Sequence, residues 1–225
     1  MYETAPRSQP DHPLFSNTSL YAASTWILPL VIAITFHEAA HGFVAHHFGD
    51  ETAWKLGRVT LNPLKHIDPF GTLLLPALLL FTHSPFLFGY AKPVPVNFRA
   101  LGHPRRDMVF VAAAGPATNI VLATLAAAAF HLIAWAPADA APWIFDNLKN
   151  ALVINVVLAI FNLIPIPPLD GSRVLRYYLS PGAEKVYDQI GMFGIILVFF
   201  VAGRFILPIF YTPLLAIFDA VLVRL

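Results

Sequence analysis

Five apolar stretches divide the sequence, and they set the terms for any fold it can adopt. They run from about Leu20 to Phe48, Phe70 to Tyr90, Met108 to Trp135, Leu148 to Ile166 and Ile190 to Leu222. A helix needs about 20 apolar residues to cross a bilayer. The last stretch is long enough for one long helix or two short ones, with Arg204 and Pro208 near the break. Hydrophobic residues make up 57% of the 225 and charged residues 12%, against about 45–50% and about 25% in an average soluble domain. Mean hydropathy is +0.66. No soluble fold of this length hides that much apolar surface, so the chain reads as an all-α polytopic integral membrane protein. A net charge of +1 gives no case for nucleic acid, and the absence of cysteine excludes disulfides and thiolate metal sites. The first twenty residues lack a basic start followed by an apolar run, so no cleaved signal peptide is expected.

Loop charges give an orientation. Lys55, Arg58 and Lys65 follow the first stretch, Lys92, Arg99, Arg105 and Arg106 the second, and Arg173, Arg176 and Lys185 the fourth. The loop after the third carries Asp139 and Asp146. The positive-inside rule places the three basic loops in the cytoplasm and the acidic one outside. Two successive cytoplasmic loops mean that Phe70–Tyr90 makes no net crossing. Its Pro76 and Pro85 suit a re-entrant hairpin lying against protein, with a full crossing and a basic outer loop as the alternative. The expectation is about five to six membrane segments in a single domain over 1–225, with a core at about 20–180 and C-terminal membrane helices at 190–222. The segment "AWKLGRVTLNPLKHIDPFGT" alternates in short runs broken by Asn-Pro and Asp-Pro. It reads as a small β element after the first helix.

Three ionisable groups interrupt the first stretch at "ITFHEAAHGF". On a helix, His37 and His41 lie four residues apart on one face and converge on one ion. Glu38 is displaced by about 100° but stays beside that ion. This is the H-E-x-x-H pattern of two zinc ligands and a general base. The bland reading is a pair of core histidines with a buried, paired glutamate, but ionisable groups inside a membrane are costly to place there without a function. Catalytic zinc takes three protein ligands and an open position. In "NLIPIPPLDGSRV" the prolines break a helix and Asp170 follows at once. On spacing alone Asp170 is equally a third ligand or an interfacial turn residue.

The elements "HEAAHG" at 37–42, "GRVTLNPLKHIDPFGT" at 57–72, "AKPVPVN" at 91–97, "AAGPATN" at 113–119 and "NLIPIPPLDGSR" at 162–173 resemble, in order, those of the site-2 proteases. These are intramembrane zinc metalloproteases, and the likeness is to their compact bacterial and archaeal branch. The resemblance implies Zn2+ held by His37, His41 and Asp170, with Glu38 as catalytic base and Asn162 as a donor to the developing oxyanion. It implies transmembrane protein or peptide substrates in the lipid bilayer, and a prokaryotic inner (cytoplasmic) membrane with the active site toward the cytoplasm. Many relatives carry a PDZ or CBS domain, for which this chain leaves no room, so regulation by such a domain does not carry over. The sequence does not give the oligomeric state.

Among other polar residues, Gly115 is read as allowing close helix approach and Asn119 as a bond across the bundle. His66 is read as a turn residue, with an approach to the metal as the lesser alternative. A metal-binding membrane protein or transporter using the same His/Asp site is the rival function. It requires no glutamate beside the first histidine.

Overall fold

The computed structural model describes residues 17–82 and 89–187, with the single positions 189 and 213. Its frame is three long helices, α1 (Asn17–His47), α4 (Pro104–Ala129, continued by a 3-10 segment to Trp135) and α5 (Ala141–Leu163). All three are long and apolar enough to cross a membrane. α1 and α4 run in opposite directions, since His37 and His41 meet Asn119 and Val111 in that order. α5 starts at the same end of the bundle as α1. There Tyr21 donates to Asp146, Trp143 to Ser24, and Asn150 to the Thr25 carbonyl. α5 therefore begins at Ala141 and not near Leu148, because Asp146 and Asn150 have partners on α1.

The packing inverts that of a soluble protein. Trp26, Ile27 and Leu30 of α1 and Ile120, Val121 and Leu125 of α4 are exposed. Ala33, Ala39, Ala45, Ala112, Ala123 and Ala126 are buried. Helices in lipid gain little by hiding large apolar side chains from one another, and small residues let their backbones approach.

Among the described residues there is no strand, so the expected β element after the first helix is not formed. Thr52–Lys55 is instead a helical turn, α2. Asp50 accepts from the Thr52 N–H at its start, and Gly57, at φ 62°, closes it as Arg58 N–H reaches back to the Ala53 carbonyl. With these backbone groups bonded locally, a ladder has little left to pair with. The two X-Pro pairs start helical turns rather than breaking strands. Asn62 caps the 3-10 turn Pro63–His66, and Asp68 caps the π-helical Pro69–Leu74, each with proline at the first position. The latter leads into α3 (Leu75–Phe81).

The apolar stretch Phe70–Tyr90 has its two ends side by side. Tyr90 N–H donates to the Gly71 carbonyl at 3.0 Å, and the Thr72 hydroxyl donates to the Tyr90 carbonyl at 2.8 Å. Its described helix, from Pro69 to Phe81, is about 20 Å long at 1.5 Å per residue, short of the ~30 Å hydrocarbon core. The count of five to six membrane segments includes Ile190–Leu222, which lies outside the described residues apart from positions 213 and, just before it, 189.

From Tyr90 to Asn97 the chain is extended and pinned on both sides. Lys92 N–H donates to the His66 carbonyl, Arg58 donates to the Lys92 and Pro93 carbonyls, and Asn97 N–H donates to Asp50. After α5 comes the proline run, and α6 (Asp170–Arg176) begins at the aspartate itself. A Cβ on Gly171 would collide with the Leu163 carbonyl group. The start of α6 therefore crosses the end of α5 at backbone contact.

Candidate active site

His37 and His41 lie one helical turn apart on the buried face of α1, and the proline break after α5 brings Asp170 against them. His37 Nε2 and His41 Nε2 are 3.1 Å apart, and each is 3.2 Å from Asp170 Oδ2. Around a tetrahedral ion with bonds of about 2.0–2.1 Å, neighbouring ligand atoms stand about 3.3 Å apart, so this triangle has the size of one face of a zinc polyhedron. These three are the His, Asp and Glu side chains, among the described residues, that converge as a metal-binding group.

The surrounding hydrogen bonds fix which nitrogen of each ring carries the proton. Asn155 donates its amide to the Ala151 carbonyl and so turns its oxygen to Asn119. Asn119 in turn donates to Asn155 Oδ1 and to the Ala33 carbonyl, which leaves Asn119 Oδ1 facing His37 Nδ1 at 2.5 Å. His41 Nδ1 faces the Val111 carbonyl at 2.7 Å. Both partners accept only, so both Nδ1 atoms donate, and in a neutral imidazole the lone pair is then on Nε2. Asp170 turns one carboxylate oxygen into the gap between the two Nε2 atoms. Its Oδ2 is buried without a hydrogen-bond donor. Two lone pairs and a carboxylate oxygen within hydrogen-bond distance and with no proton among them are a donor set for a cation. Gly115 makes the room, since a Cβ there would stand 2.5 Å from His37 Cε1 and from His41 Nε2.

Glu38, half-buried on the next face of α1, does not join the triangle. Its Oε2 accepts from the Val94 backbone N–H at 2.8 Å, within the extended segment that Arg58 holds. Gly42, on the same side, lets that segment close in, for a Cβ there would meet Val59 at 2.9 Å and Val94 at 3.1 Å.

Asn162 is not hydrogen-bonded to this group. It donates one amide hydrogen to the Leu158 carbonyl of its own helix. His66 stands apart as well. It is buried, its Nε2 lies 2.9 Å from the Thr60 carbonyl, and its own carbonyl holds Lys92. It orders the loop beside the site. The residues that sequence reasoning missed are Asn155, Val94 and the Val111 carbonyl. An Asn in an apolar stretch is a signal for the first, whereas backbone partners leave no side-chain signature.

Comparison with known proteins agrees with this chemistry. Residues 131–201 match peptidase family M50. YwhC of Bacillus subtilis is 38% identical over 195 residues, 84% of this chain and 80% of its own. Rip2 of Mycolicibacterium smegmatis is 31% identical over 173 residues, 77% of this chain and 62% of its own. MJ0611 of Methanocaldococcus jannaschii is 25% identical over 166 residues, 72% of this chain and 75% of its own. Each of the three bears the name "putative zinc metalloprotease". The chain thus spans four-fifths of YwhC and somewhat less than two thirds of Rip2. No solved structure matches it.

Proposed function

The chain belongs to peptidase family M50, the site-2 proteases, and on that premise we infer that it is an intramembrane zinc metalloprotease whose metal is held by His37, His41 and Asp170. The observation that carries the ligand assignment is the triangle of Nε2, Nε2 and Oδ2 atoms at 3.1–3.2 Å, with both Nδ1 atoms committed elsewhere.

Zinc in that position supplies an acidified water, with a pKa near 7, and a Lewis acid for a peptide carbonyl. Glu38 takes the proton of the attacking water and returns it to the leaving amine. The Val94 N–H fixes one of its oxygens and leaves the other for that transfer. Asn162 has a second amide hydrogen beyond the one given to Leu158, and this is its means of stabilising the oxyanion. A helical substrate has its carbonyls bonded internally, so the segment to be cut must unwind first. Gly, Pro or Asn near the scissile bond favours that.

The basic loops support an active site facing the cytoplasm of a prokaryotic inner membrane. The meeting of Gly71, Thr72 and Tyr90 supports a re-entrant course for residues 70–90, within a single domain of about five to six membrane segments. The test is incubation of the purified protein in detergent with a panel of single-span substrates, with and without a zinc chelator. Chelator-sensitive cleavage is expected. Cleavage that survives complete zinc removal would refute the reading, as would zinc transport that persists in Glu38→Gln without any peptidase activity.

A further inference from the structure

Arg58 is a buried cation without a counter-charge. Its exposure is 8%, and no carboxylate among the described residues pairs with it. Its Nη2 donates to the Lys92 carbonyl at 2.8 Å and stands 3.5 Å from the Pro93 carbonyl, and its Nε is buried with no acceptor. Burying a charge on carbonyls alone is costly. The path of the extended segment does not require it, because the N–H groups of Tyr90, Lys92 and Asn97 already bind the Gly71 carbonyl, the His66 carbonyl and the Asp50 carboxylate. What Arg58 adds is a grip on the two residues immediately before Val94. There the chain reads Pro93, Val94, Pro95. Proline has no N–H and a φ fixed near −65°. Val94 therefore carries the one N–H of these three residues, and Glu38 Oε2 accepts it at 2.8 Å. Arg58 is itself tied to the end of α1. Its N–H bonds the Ala53 carbonyl of α2, Asp50 accepts from the Thr52 N–H at the start of α2, and the Asp50 N–H bonds the Ala45 carbonyl of α1.

We propose that Arg58 is a positioning residue for Glu38: its guanidinium holds Lys92 and Pro93 so that the Val94 N–H meets the carboxylate and fixes it for proton transfer. The proposal rests on the peptidase reading, in which Glu38 is the base. A glutamate on a helix surface samples several rotamers, and a hydrogen bond from a rigid backbone donor removes most of that freedom. A base must stand within hydrogen-bond reach of the proton it takes, so a donor that holds one carboxylate oxygen sets where the other one works. That donor is only as well placed as the backbone before it, and Arg58 is the side chain that grips that backbone. Hydrogen bonds from a charged donor are roughly twice as strong as neutral ones, and one Nη2 here serves two successive carbonyls. His66 contributes only its backbone carbonyl to the same segment, a contact that any residue at that position could make.

Two readouts on the purified protein separate positioning from folding. In the first, cleavage of a single-span substrate is measured for Arg58→Met, which keeps the length of the side chain and loses its donors. Here kcat should fall by about 10²-fold, the scale of misplacing a reacting group by about 1 Å, with KM and zinc content unchanged. Arg58→Lys, which restores a charged donor, should recover part of the loss. Val94→Pro removes the N–H itself, and if Arg58 acts through that N–H, adding Arg58→Met to Val94→Pro lowers kcat no further. The second readout needs no activity. Glu38→Cys with Val94→Cys, in a chain that has no cysteine of its own, is treated with a short bifunctional maleimide, and adding Arg58→Met should abolish most of the cross-linking. Wild-type kcat in Arg58→Met, losses that multiply in the double variant, or cross-linking indifferent to Arg58→Met each overturn the proposal. Loss of zinc in both Arg58→Met and Arg58→Gln also overturns it, since Arg58 is then a residue of the fold; where Arg58→Gln alone keeps zinc, it replaces Arg58→Met in both readouts. Protein inactive toward every substrate sinks the peptidase reading but leaves the cross-link to decide whether Arg58 holds Val94 at Glu38. Active protein with an unchanged kcat in Arg58→Met sinks the positioning role alone.

Discussion

Glu38 and Asp170 are both carboxylates close to the same two imidazoles, yet a base can be lost without the metal and a ligand cannot. Glu38→Gln keeps the shape of the side chain and an acceptor for the Val94 N–H, so zinc content should stay at the wild-type level. Cleavage should fall by about 10²–10⁴-fold, the scale of a general base. Metal analysis beside a cleavage assay checks both halves, and wild-type cleavage by this variant would remove Glu38 from the mechanism. Asp170→Ala deletes one corner of the triangle and should lower zinc content together with activity. If it keeps both, the third ligand is another residue. Asn119 acts at one remove. It accepts from His37 Nδ1 and is itself held by Asn155 and Ala33, so Asn119→Ala frees the ring to rotate and to change tautomer. Loss of such an outer partner typically costs about 10–100-fold in metal affinity or activity. Asn119→Asp, which still accepts from Nδ1, should recover part of it. Zinc competition titrations decide this, and an Ala variant with wild-type affinity would show that the helix alone orients His37.

At the scale of elements, the sequence predicts some contacts and not others, for reasons of chain distance. His37 and His41 announce themselves because four residues on a helix fix their relation. Asp170 lies far along the chain, and spacing alone leaves it even with an interfacial turn; only the resemblance of the whole L-D-G segment favours it. Asn-Pro and Asp-Pro are legible as punctuation, but their kind is not: they start helical turns. The same side chains that break strands also cap helical turns, and Asp50, just before the alternating segment, and Gly57 within it close α2. Gly115 reads from sequence as a close-packing residue, but what packs against it is the imidazole pair, and this depends on the register of α4 on α1, which no local pattern encodes. Gly115→Ala would place a Cβ 2.5–2.6 Å from ring atoms of His37 and His41. Either the helices part or the imidazoles turn. Overpacking of this kind costs about 1–3 kcal/mol, so Gly115→Ala should lower both the thermal midpoint in detergent and the zinc content. An unshifted midpoint with full zinc would mean that the space beside the imidazoles is larger than the structure has it.

For the whole molecule, the course of residues 70–90 decides where the loops lie and what flanks the site. Both neighbouring loops are basic, and the two ends of the stretch are hydrogen-bonded to each other at Gly71, Thr72 and Tyr90. A full crossing would separate its ends by the ~30 Å of the hydrocarbon core, whereas the re-entrant course we propose keeps them together. Residues near Lys65 and residues near Arg99 should therefore face the same compartment, and a residue near Asp139, in the link between α4 and α5, should face the other. The chain contains no cysteine, so single introduced cysteines report cleanly. A membrane-impermeant thiol reagent added to right-side-out vesicles should miss the Lys65 and Arg99 positions and label the Asp139 position, and inverted vesicles should give the reverse. Labelling of the Arg99 position from outside, with Lys65 still protected, would make the stretch a true crossing. It would also break the hydrogen bonds at Tyr90 and move Val94 away from Glu38, since Tyr90 and Val94 are joined through only three residues of extended chain. The metal triangle would survive such a result, because His37, His41 and Asp170 are on other elements. The extended segment that holds Glu38 would not, and the labelling experiment thus tests the placement of the base as well as the path of the chain.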